Sequence, residues 1–151
     1  MSGDKEIQNQ FNQIRESIIT QKRDSKTLKA EVLDMRERMK KEHLTIKKGF
    51  FDIKQGNGGI IDIEFLVQYL VLKSSYSHPG LELWTDNVRL LESLAKEKII
   101  KEKECNDLKE AYLVMRKAIH RLNLQEKELL LPISHFKELK NNVIAIKNKY
   151  L

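Results

Sequence analysis

Apolar residues recur along most of this chain at the three- and four-residue steps of an amphipathic helix. Ile7, Phe11, Ile14 and Ile18 form the first stripe, which predicts a helix from about Asp4 to Gln21. The segment RDSKT interrupts it and offers Asp24 or Ser25 as an N-cap. Leu28, Val32, Met35 and Met39 form a second stripe, on a helix reaching about Leu44. The short connection predicts an antiparallel helical hairpin over residues 1–49.

The period then changes. Phe51 and Ile53 alternate with Asp52 and Lys54, as on a strand, and Asn57-Gly58 is a favoured hairpin turn pair. Residues 50–63 therefore read as a glycine-rich β-hairpin, or as two short extended segments. From about Ile63 to Ser74 the chain is apolar nearly all round, as befits a helix in the middle of a bundle.

SSYSHPG is a loop. Beyond it, Thr85 or Asp86 can cap a helix carrying Val88, Leu91, Leu94 and Ala95 inward, with Trp84 at its mouth. A long helix follows from about Lys101 to Gln125, with Leu108, Ala111, Tyr112, Met115, Ile119 and Leu122 on one side. Pro132 stops what precedes it. Ser134 can cap a last helix bearing Phe136, Leu139, Val143, Ile146 and Tyr150. The expected fold class is mainly α: one domain over 1–151, with about six helices, a short β-hairpin at 50–63 and a helical bundle over 64–151.

Composition narrows the function. The chain has 28 Lys and Arg against 22 Asp and Glu. The two signs alternate in runs such as MRERMKKEH, the pattern of a solvated helix surface rather than a nucleic-acid face. The longest nearly apolar run, Ile60 to Leu72, holds Asp62 and Glu64 and is too short and charged to span a bilayer. No nucleic acid and no membrane are expected as partners. The polar N-terminus and the single cysteine, Cys105, point to a reducing compartment, the cytoplasm. Cys105 has no histidine nearby in sequence, and the four histidines are too scattered for a zinc signature. His120 reads as a hydrogen-bonding residue at a contact, and Met35 and Met39 as packing residues.

Chemistry concentrates in FDIKQGNGGIIDIEF. Four of the six glycines lie between Gly49 and Gly59, and Asp62 and Glu64 follow at once. On a strand, residues two apart share a face, so these carboxylates can reach one Mg²⁺. The competing and simpler reading is that one of them caps the following helix. The glycines before them can cradle a phosphate, or serve only as turn residues.

The segments EVLDMRERMKKEHL (31–44), FDIKQGNGGIIDIEFLVQYLVL (51–72), WTDNVRLLESLA (84–95) and AYLVMRKAIHRLNLQE (111–126) carry a resemblance. In order and spacing they resemble the C-terminal region of the bifunctional glutamine synthetase adenylyltransferase/adenylyl-removing family. The likeness covers about residues 11–130, and the DIEF form resembles the adenylylating half. That family pairs DNA-polymerase-β-type nucleotidyltransferase domains with helices, so the resemblance implies a helical C-terminal fragment lying after the catalytic core. It implies transfer of AMP from ATP, with Mg²⁺, to a tyrosine of glutamine synthetase. It also implies three partners: glutamine synthetase, the PII nitrogen-signalling protein and the upstream nucleotidyltransferase domain. On this footing Asp62 and Glu64 are the candidate catalytic residues, Asp62 the candidate metal ligand, and Lys54, Gly58 and Gly59 the candidate phosphate contacts. The fragment alone is expected to be inactive and to bind neither cofactor tightly. The alternative, from another class, is a helical interaction module whose glycine segment is only a structural joint.

Overall fold

The computed structural model describes residues 7–10, 25–75, 77–78 and 86–151. Among these, the chain forms α1 (Ser25–His43), β1 (Phe50–Asp52), α2 (Ile60–Ser74), α3 (Asn87–Lys96), α4 (Glu102–Leu124), β2 (Leu130–Pro132) and α5 (Lys137–Tyr150). Residues 7–10 are also helical, with Ile7 buried. The rest of the helix expected at 4–21, and Trp84 and Thr85, lie outside the described residues. The fold is mainly α, as the periodicity predicts.

The centre is α2. Its apolar circumference leaves it no face for water, and it packs against α1, α3, α4 and α5. Ile61, Ile63, Leu66, Val67 and Val71 are wholly inaccessible, and Leu70 nearly so. The stripe of α4 closes over it with Leu108, Ala111, Met115 and, at its edge, Tyr112; Leu122 is partly buried. Asp86 caps α3, its carboxylate accepting from the Val88 N–H at 2.9 Å. Glu104 ties two helix ends together. It accepts from the Lys101 N–H at the start of α4, and from the Tyr150 hydroxyl (2.6 Å) and the Lys149 ammonium (2.9 Å) at the end of α5.

Two expectations need correction. Residues 50–63 do not pair with each other as a hairpin. β1 pairs antiparallel with β2, Phe50 opposite Pro132 and Asp52 opposite Leu130. The partner comes from the apolar run LLLP, where the proline sits at the strand's end and forfeits no interior ladder bond. The second half of the supposed hairpin is already helix, because its N–H groups are met from behind. Ile60 donates to the Ile53 carbonyl (2.9 Å) and Ile61 to that of Lys54 (3.2 Å). Two donors that a helix start leaves unpaired are thereby satisfied, and α2 begins three residues before the expected point. The last helix, in turn, starts after Ser134. Phe136 holds the left-handed cap position at φ 56°, and Lys137 is the first helical residue.

Leu70 is 1% exposed in the most crowded part of the bundle. Leu70→Ala should lower the unfolding free energy by about 2–5 kcal/mol in a urea titration. Glu104 supplies a pH signature. Burial raises its pKa, but the bonds from Tyr150, Lys101 and Lys149 outweigh that and hold it below the ordinary glutamate value. A depressed carboxylate stabilises the fold fully above its unfolded pKa, about 4.3, and loses that contribution as pH falls through the folded value. Glu104→Gln should therefore lower the melting temperature at neutral pH. The gap from the unsubstituted chain should narrow below about pH 4.

Candidate functional site

Arg36 and Asp62 are the centre of the chemistry-bearing region. Arg36 lies on α1 one turn beyond Val32, on the buried side of the helix, and is 2% exposed. Asp62 lies in the first turn of α2 and is 0% exposed. The guanidinium Nε donates to Asp62 Oδ1 at 2.7 Å. The remaining guanidinium nitrogens donate to Gln55, one to its side-chain Oε1 (2.9 Å) and one to its backbone carbonyl (2.8 Å). The Phe65 ring lies 5.8 Å from the guanidinium carbon. Asp62 Oδ2 accepts the Gly58 N–H at 2.8 Å, and Lys147 of α5 reaches Oδ1 at 3.3 Å. One carboxylate thus joins α1, the glycine turn, α2 and α5.

The turn is shaped to allow this. Gly58 has φ +78°, and a Cβ there would sit 2.8 Å from the Lys140 carbonyl on α5. A Cβ on Gly59 would meet the Ile53 carbonyl at 2.5 Å. Asp52 fixes the entry to the turn. Its Oδ1 accepts the N–H groups of Lys54 (3.0 Å) and Gln55 (2.9 Å), and its Oδ2 that of Thr45 (3.0 Å). On the far side the Lys140 ammonium stands 4.1 Å from the centre of the Phe51 ring and donates to the Ile133 carbonyl. Burial is the main cause that pushes the pKa of Lys140 below the ordinary lysine value, with Lys137 adding to it.

Of the residues expected to carry function, the structure brings Asp62 and Gly58 together, as acceptor and donor. Asp62 is the acidic residue in the first turn of α2, where a carboxylate complements the helix dipole, but it does not take the cap position itself. The cap position is Gly59, and Asp62 stands three residues later, reaching back to the N–H before the cap. Asp62 and Glu64 do not converge. On a strand they would share a face, but on α2 a separation of two turns them to different sides. Asp62 faces Arg36 and Lys147, whereas Glu64 is half-buried on the side where its charge reaches Tyr112. The pair does not fit a shared Mg²⁺ ion, and among the described residues no three His, Cys, Asp or Glu side chains gather as a metal site. Gly59 donates its N–H to the Gly56 carbonyl. Lys54 lines a cavity of about 350 Å³ with His43, Thr45, Asp52, Gln55 and Glu128, and Gln55 is shared between its wall and the Arg36 network.

Arg36, Gln55 and Lys147 are the residues sequence reasoning missed. The signal for Arg36 was present: Leu28, Val32 and Arg36 follow at steps of four, so a charge occupies a stripe position and demands a buried partner. Cys105 is buried and its thiol pKa is raised, chiefly by that burial, which makes it a packing residue. His120 is exposed on α4. No described helix is long and apolar enough to cross a membrane.

The GlnD PII-uridylyltransferase family profile matches residues 26–142, a span that holds all but the first residue of α1, the glycine turn and its ion pair, and the first turns of α5. The chain belongs to this family. Membership in the GlnD PII-uridylyltransferase family places it among nucleotidyltransferase-related proteins of nitrogen regulation. The matched span covers every residue of the buried network except Lys147, so this family member carries its ion pair within the shared region.

Removing either partner of the pair strands a buried charge. Arg36→Met should cost about 3–5 kcal/mol in chemical denaturation. Asp62→Asn should cost a comparable amount, whereas a simple cap would tolerate Asn. The double variant Arg36→Met/Asp62→Leu should lose much less than the sum of the single losses.

Proposed function

We propose that this chain is the helical support domain of an enzyme that transfers AMP from ATP to a tyrosine of glutamine synthetase. The observation that carries the reading is the 51–72 segment. Its glycine turn and DIEF sequence resemble the adenylylating half of the glutamine synthetase enzyme, and family membership supports the nucleotidyl-transfer setting. The chain contains neither a Gly-Ser turn nor an Asp-x-Asp pair. On this reading the transfer chemistry, with its Mg²⁺ and ATP, belongs to a separate nucleotidyltransferase domain. The contribution of this chain is positional. Asp62, with Arg36 and Lys147, holds α1, α2 and α5 in one arrangement, and the turn between them presents a fixed surface to the catalytic domain, glutamine synthetase or the PII protein. Fixed geometry of that kind is what a transfer with little covalent chemistry of its own depends on.

A second reading follows from the family's own name, in which the acceptor is PII and the group transferred is UMP. The enzyme containing this chain distinguishes the two. Supplied with Mg²⁺, both nucleotides and both proteins, it should label glutamine synthetase with AMP. Labelling of PII with UMP, and none of glutamine synthetase, would establish the second reading instead. The isolated chain should transfer neither nucleotide.

A further inference from the structure

Around Asp62 the positive charge exceeds what the carboxylate can neutralise. Arg36 takes Oδ1 at 2.7 Å, and Lys147 approaches the same oxygen at 3.3 Å. Lys40, one turn beyond Arg36 on α1, adds a third cation and donates to the Asn57 side-chain oxygen at the tip of the glycine turn. Besides Asp62, the acid whose charge acts on Lys40 is the exposed Glu37. Burial lowers the pKa of Lys40, and Arg36 and Lys147 lower it further; Asp62 and Glu37 oppose them. Like charges this close cost free energy unless an anion joins them.

The two lysines differ from Arg36 in being reachable. Arg36 has its Nε and both terminal nitrogens engaged and is closed off from water. Lys40 and Lys147 are both partly exposed, the Lys147 side chain at 17%, and Asn57 is exposed. An ammonium has three donors. Lys40 directs one to Asn57, and Lys147 directs one to Asp62. We propose that Lys40, Lys147 and Asn57, at the mouth of the glycine turn, form a binding site for a phosphate-class oxyanion. A dianion with several oxygens can accept a hydrogen bond from each ammonium and neutralise both, which a single carboxylate cannot. Lysines serve such ligands as point charges. The Gly58 and Gly59 N–H groups take no part, since each already has an intramolecular acceptor. Such a site does not depend on which nucleotide the enzyme transfers.

The test is a titration of the whole chain with pyrophosphate, with AMP and with acetate, at constant ionic strength. It is followed by calorimetry and by the amide resonances of Asn57 and Gly58. Saturable binding of pyrophosphate or AMP that moves those resonances is expected, and whichever binds tighter shows whether the source is a free diphosphate or a nucleotide. Lys40→Met and Lys147→Met should each weaken binding about tenfold or more. Lys103→Met, on the exposed start of α4, should leave it unchanged. Circular dichroism of each variant secures the comparison, and Lys40→Met, which leaves the Asp62 contacts in place, answers if Lys147→Met is unstable. Absence of saturable binding, equal response to acetate, or equal affinity in Lys40→Met would overturn the proposal.

Discussion

A carboxylate taken wholly out of water has to be met by charge and by hydrogen bonds, or the fold that buries it does not form. Asp62 is in that position, and its donors set the relative placement of four parts of the chain. Arg36 brings in α1, Gly58 the turn, and Lys147 α5, while Asp62 itself is the start of α2. Apolar packing alone would let α1 and α5 slide along the featureless surface of α2. A directional pair with fixed donors on either side does not. The same demand explains Gly58, since only a residue without a side chain brings its N–H under the carboxylate with α5 against its back.

How much of this was legible in the sequence depends on the range of the interaction. The helices follow from local periodicity: α4 is where its stripe puts it, and α2 departs from the expectation only in starting three residues earlier. Packing roles assigned to Tyr112, Met115 and Val143 agree with their burial. The glycine cluster was recognisable as the site of unusual backbone. Its form was not, because Asn57-Gly58 carries the same local signal in a hairpin and in a turn feeding a helix. The choice is made by Leu130 and Leu131, far along the chain, which supply the strand partner that residues 60–63 were expected to give. The identity of Asp62 was likewise legible and its role was not. Its partner is one charged residue in an otherwise apolar stripe, and only tertiary structure shows the two meet.

The polar elements divide into two kinds. Asp52 and Asp86 work locally, organising a turn and a helix start through neighbouring N–H groups. Glu104 and Asp62 work at long range, joining elements distant in sequence. Both long-range carboxylates act on α5: Tyr150 and Lys149 hold its end to α4, and Lys140 and Lys147 hold its flank to Phe51 of β1 and to Asp62. The last helix is fixed by polar anchors as much as by Val143 and Ile146.

The pairing of β1 with β2 has a kinetic consequence. Three-residue strands have too few ladder bonds to lead assembly, and the stretch between them holds α2, α3 and α4. The loop they close becomes short in space only after those helices have collapsed together, when the entropy of bringing its ends together has already been met by packing. The strand pair is therefore a late-closing latch. In the native state it should also be the first long-range element to release, so that its amides exchange with solvent through local openings while α2 stays protected.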